Sequence, residues 1–72
     1  MAYTSWTLAR NGHRVTCTLI PQPSGYCILR LTHRGHHILD ERCEGPQHAM
    51  SRSFDAFNAL LTRGWLDESS VN

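Results

Sequence analysis

Asn11-Gly12 sits between two stretches that alternate apolar and polar residues, Trp6-Thr7-Leu8 and Val15-Thr16-Cys17-Thr18-Leu19. Alternation is the period of a strand with one buried face. Asn-Gly tolerates the positive φ that both central positions of a two-residue type I′ turn require. A tight turn there sets Arg10 opposite His13 and Leu8 opposite Val15. It also places Trp6, Leu8, Val15, Cys17 and Leu19 on one face. Turn chemistry and hydrophobic pattern therefore predict the same antiparallel hairpin.

Pro21-Gln22-Pro23-Ser24-Gly25 reads as a turn that stands outside any central strand. Tyr26 to Thr32 alternates again, with Cys27, Leu29 and Leu31 on one side. Pairing Ile20 with Tyr26 sets Cys17 opposite Leu29 and Val15 opposite Leu31, which keeps the apolar face continuous. His33-Arg34-Gly35 suits a three-residue loop with glycine in the left-handed position. A fourth strand over residues 36–43 follows, and that loop places His37 and Leu39 on the core side. Its alternation is weaker, because Ile38 and Leu39 are adjacent.

Glu44-Gly45-Pro46 closes the sheet, and proline suits the first position of a helix. Met50, Phe54, Phe57 and Leu61 then recur as one stripe of an amphipathic helix. Gly64 fits the left-handed residue beyond its end, with Trp65 packing back on Leu60. The expected fold is α+β: a four-stranded antiparallel β-meander with one C-terminal helix packed on one face (ββββα). It forms a single domain over residues 1–66, followed by a polar, frayed tail over residues 67–72.

A chain of 72 residues has room for one modest core, burying about 60% of the surface its unfolded form exposes. Dimerisation or a bound ion would compensate. The net charge of +1 gives no overall field that would draw the protein onto nucleic acid or an anionic membrane. All seven basic residues are arginine, which a genomic codon preference explains better than a ligand does. Three cysteines, an odd number, make no closed disulfide framework. The first residues lack the basic and apolar regions of a signal peptide, and no apolar run approaches a membrane span. The expectation is a reduced, cytoplasmic protein.

Four of the five histidines, His13, His33, His36 and His37, are expected at one end of the sheet. The inferred register sets His13 directly opposite His33, with His37 on the same helix-facing side and Arg63 and Trp65 arriving from the helix end. Three imidazoles, His13, His33 and His37, would suit an open zinc site, or a pH-responsive patch favoured by the helix C-terminus. The ordinary alternative is a polar rim capping the sheet, and no H-x-x-x-H or C-x-x-C spacing is present. At the other end Cys27, Cys43 and His48 are a second zinc-like set, although buried cysteines usually act as small hydrophobes.

Catalysis has no positive support. Cys17 faces the core far from any histidine, no serine lies in a nucleophile elbow, and Asp40 and Glu41 point to opposite faces. The helix leaves one sheet face uncovered. That face is expected to present Tyr3, Ile20, Tyr26 and Ile28 as an apolar cluster, with Arg14 and Arg30 nearby. Exposed aromatic and apolar patches with arginine mark interfaces, though threonine and arginine also line ordinary solvated sheets. The best reading is a non-enzymatic binding or regulatory module acting through this face on a protein partner or on itself. Tyrosines stacking bases and arginines meeting phosphates would instead make a nucleic-acid platform. The charge balance and the lack of an RNP-like motif argue against that.

Overall fold

The computed structural model describes residues 1–68. Five strands and one helix follow in the order β1 (Tyr3–Arg10), β2 (His13–Pro21), β3 (Cys27–His33), β4 (His36–Cys43), α1 (Pro46–Thr62) and β5 (Leu66–Asp67). They form one sheet ordered β4-β3-β2-β1-β5, antiparallel throughout, with α1 packed across β1 to β4. This is the expected α+β meander and helix, extended by one short strand. Leu66 and Asp67 pair with Ala9 and Leu8, so residue 67 belongs to the sheet rather than to a frayed tail. The rest of the expected tail, from residue 69 onward, lies outside the described residues.

The first hairpin has the anticipated register, with Arg10 opposite His13, Leu8 opposite Val15 and Trp6 opposite Cys17. Asn11 and Gly12 take φ of 51° and 81°, the left-handed pair that a type I′ turn needs. The register then slips at Ser5: Thr4 pairs with Thr18 and Tyr3 with Leu19. This bulge reverses the facing of everything before it. Tyr3 therefore lies on the helix side of the sheet and not on the uncovered face, which corrects the expected placement.

Strands β2 and β3 pair two residues out from the expected register, with Ile20 opposite Ile28, Cys17 opposite Leu31 and Val15 opposite His33. A slip of two preserves every facing, which is why the apolar side is still continuous. Its cause is a tighter turn. Gln22 N–H donates to the Tyr26 carbonyl at 2.8 Å, so β2 continues through Pro21. Pro21 falls in the intervening, non-hydrogen-bonded pair, where no N–H is owed to β3.

The second hairpin turn is also shorter than expected. His33 pairs with His36 across Arg34-Gly35, at φ of 53° and 78°. A bulge at Ile38 follows, so Thr32 pairs with His37 while Leu31 pairs with Leu39. Leu39 keeps its expected helix-side position. His37 does not; it lies with Thr32 on the uncovered face.

The core consists of Trp6, Leu8, Val15, Cys17, Leu19, Cys27, Leu29, Cys43 and Ala49, with Leu31, Ala56, Phe57, Leu60 and Trp65 packed against it. The helix meets this layer along Ala49, Ser53, Ala56, Phe57 and Leu60, one residue back from the stripe the larger side chains suggested. Small residues at the contact let the helix approach closely. Met50, Phe54 and Leu61 are consequently exposed flanking groups. Ser53 is the polar centre of the contact: its hydroxyl lies 2.7 Å from that of Ser5 and accepts from Cys17 Sγ at 3.6 Å. Its carbonyl accepts from Trp6 Nε1 at 3.0 Å. The Ser5 bulge thus supplies a hydroxyl to a helix residue that would otherwise be buried with few partners.

At the helix end, Gly64 adopts φ 93°. Its N–H bonds Leu61 O and the Trp65 N–H bonds Leu60 O, the two bonds of a Schellman cap. No helix among the described residues is long and apolar enough to cross a membrane.

Candidate functional site

The end of the sheet that carries the two tight turns brings two of the three expected imidazoles together. His13 stands diagonally across from His33, and their rings meet, with His13 Nδ1 3.2 Å from His33 Nε2. The diagonal distance between strands is within reach of ring side chains. Arg34 Nη2 reaches the same His13 Nδ1 at 3.2 Å. A guanidinium has no acceptor, so in the contact with Arg34 Nδ1 of His13 accepts, and Nε2 of His33 lies against the same nitrogen. His37 is on the opposite side of the sheet from this pair, for the reason given by the Ile38 bulge. His36, paired with His33, takes the helix-side position that was expected of His37. Among the described residues no three His, Cys, Asp or Glu side chains gather closely enough to share a metal ion.

At the other end, Cys27 and Cys43 are directly opposite each other, and both are fully buried. His48 lines one cleft with Cys43, but the three do not gather closely enough to share a metal ion; its Nδ1 accepts the Glu44 backbone N–H at 3.1 Å, at the helix start that Gly45 leaves without a side-chain cap. Burial pushes the Cys17 thiol up, and burial with the neighbouring Glu41 carboxylate does the same for Cys43. Both favour the neutral thiol over a nucleophilic thiolate.

The uncovered face carries five of the six expected interface residues. Ile20 and Ile28 are cross-strand partners, each half-buried although nothing covers them. Tyr26 is 40% exposed beside them, and the Arg42 guanidinium lies 4.6 Å from its ring centre, within cation–π range. Arg30 grips Asp40 through two bonds of 2.7 and 3.1 Å, which holds the Asp40 carboxyl below the usual carboxylate range. Arg14 reaches Glu68 at 2.6 Å. Threonines from β1, β2 and β3 fill the rest, and Thr7 and Thr16 share a hydroxyl contact of 3.3 Å.

Two features escaped sequence reasoning. Leu66 lies opposite Ala9 at the edge of the uncovered face and is 63% exposed. A two-residue strand has no periodicity to announce it. On the helix side, Tyr3, Trp6, Met50, Phe54 and Phe57 line an open groove of about 740 Å³. Its signal in the sequence was a helix with more large apolar residues than a narrow sheet contact can cover.

No family model matches the chain, and neither curated proteins nor solved structures provide a match.

Proposed function

We propose that the protein is a small non-catalytic binding module that works through its uncovered sheet face, with a second copy of itself as the partner. The observation that carries this reading is the Ile20–Ile28 pair beside Tyr26, an apolar cluster in the open face of a one-helix, one-sheet fold. The strand residues of the sheet, at ~3.3 Å rise and ~4.8 Å strand spacing, give a face of roughly 540 Å². That is comparable to the roughly 800 Å² per partner of a standard interface. The pairing of Arg30 with Asp40 and of Arg14 with Glu68 removes much of the like-charge repulsion that a self-complementary face would meet. Three buried, unpaired cysteines fit a reducing compartment such as the cytoplasm.

Sedimentation from micromolar to millimolar concentration tests the reading. Wild type is expected to dimerise and Ile28→Glu to remain monomeric with an unchanged circular dichroism spectrum. A wild-type protein that is monomeric throughout this range overturns it.

A further inference from the structure

The two tight turns at one end of the sheet have closely matching φ angles and different residues. Asn11-Gly12 has φ of 51° and 81°, Arg34-Gly35 of 53° and 78°. Asparagine is one of the few side chains suited to the first of these positions, and arginine is not. Strained residues of this kind cluster at functional sites. Here the strained residue aims its guanidinium across to the neighbouring turn, where His13 Nδ1 receives it at 3.2 Å. His33 braces the same imidazole from β3 at 3.2 Å. The result is an arginine fixed in place by a histidine pair.

Beside it lies a cleft of about 500 Å³ whose lining includes Gly12, His13, Arg14, Thr32, Arg34 and Gly35, and among the described residues no carboxylate lines it. Among the described residues Arg14 bonds Glu68 and Arg34 bonds His13, while each guanidinium carries five N–H groups in all. We propose that this cleft binds the dianion of a phosphomonoester. Arg14 from β2, Thr32 from β3 and Arg34 from the β3–β4 turn line the cleft together. That arrangement suits a tetrahedral group with three charged oxygens better than a planar carboxylate served by one fork. The His13–His33 pair acts as a positioning element, since an arginine already held in its bound geometry loses less freedom on binding. The cleft lies at the turn end of the uncovered face, away from the Ile20–Ile28–Tyr26 cluster but sharing Arg14, Thr16 and Thr32 with that face, so binding is measured at a concentration where the protein is monomeric.

Three probes at constant, physiological ionic strength separate the chemistry: phenyl phosphate, dimethyl phosphate and benzoate, each titrated into labelled protein near neutral pH while the Arg34 and His13 side-chain resonances are followed. Phenyl phosphate is expected to bind at least about tenfold more tightly than the other two, a ratio equivalent to about 1.4 kcal/mol. Arg34→Asn restores the residue that the twin turn uses. It should weaken phenyl phosphate binding about tenfold while raising the melting temperature by a few degrees. Arg52→Gln, which removes the same charge from the helix on the other side of the sheet, should leave the affinity unchanged. Equal binding of the diester, which is the chemistry of a nucleic-acid backbone, overturns the proposal. So does an Arg34→Asn protein with undiminished affinity. A lower melting temperature in that variant also overturns it, because Arg34 would then serve the fold and not a ligand.

Discussion

The two faces of the sheet are built from the same strands and do opposite work. On the helix side, Leu8, Cys17, Leu19 and Leu29 are sealed beneath α1, and the polar atoms there are tied to Ser53. On the uncovered side, threonines, a pair of isoleucines and ion pairs occupy the alternate positions of the same strands. Folding free energy scales with apolar area removed from water, so the first face carries the fold. The second is at liberty to vary without unfolding the chain. Sequence neighbours that fall on opposite faces provide the cleanest tests of this division.

Leu29 and Ile28 are one such pair. Leu29 is 2% exposed within the core, and Leu29→Ala is expected to cost about 3 kcal/mol in urea unfolding, from lost transfer energy and the cavity left behind. Ile28→Ala, measured at low concentration, should cost less, about 1–2 kcal/mol, because that side chain is only partly buried. Equal losses would mean that the uncovered face is covered in solution even at low concentration, which would break the comparison and strengthen self-association.

Ser53→Ala tests the polar seam inside the covered face. It leaves the Ser5 hydroxyl and the Cys17 thiol without the oxygen they meet, and a loss of about 1–2 kcal/mol is expected. Thr16→Ala, which removes a hydroxyl contact on the uncovered face, should cost less, since water replaces the partner. Equilibrium unfolding of the two variants side by side decides the matter. A Thr16 variant as damaging as the Ser53 variant would show that solvent access does not separate the faces.

What was legible from sequence follows the same division. The Asn11-Gly12 hairpin could be read to the residue, because a two-residue turn and an alternating pattern each define register independently. The β2–β3 register could be read only in its parity. Alternation has a period of two and does not distinguish Ile20 opposite Tyr26 from Ile20 opposite Ile28. The bulges at Ser5 and Ile38 were invisible, and they moved Tyr3 and His37 to the faces where neither was expected. A bulge exchanges one local pairing for a better long-range contact, here Ser5 with Ser53, and no local pattern records that exchange. The helix stripe was misplaced by one residue because hydrophobicity weights Met50 and Phe54 over Ala49 and Ser53, while close packing against a flat sheet favours the small residues. For the candidate site, the meeting of His13 with His33 was foreseeable. The hold of Arg34 on His13 was not, since arginine gives no turn signal at a left-handed position.

Asp40 and Glu41 form a second pair of sequence neighbours on opposite faces, and they carry the smallest expected effect. Glu41 accepts from Arg52 at 2.7 and 3.2 Å, tying α1 to β4, and the Arg52 guanidinium holds its carboxyl below the usual range. Asp40 is lowered by Arg30 in the same way, but that bridge joins two strands already hydrogen-bonded to each other. Each folded-state pKa lies below its unfolded value. The stabilisation is therefore complete above the unfolded carboxylate range and is lost as pH falls through the lowered folded value. Thermal unfolding across that acid range should show a shallower decline for Glu41→Gln than for wild type, and a smaller change for Asp40→Asn. The Glu41 effect is the larger because it ties a helix to a strand rather than two strands already hydrogen-bonded to each other. Both should fade in about 1 M salt, where the screening length shrinks to about 3 Å. If Asp40→Asn flattens the curve as much as Glu41→Gln, the uncovered face contributes to the fold on equal terms, and its ion pairs cannot be treated as surface chemistry alone.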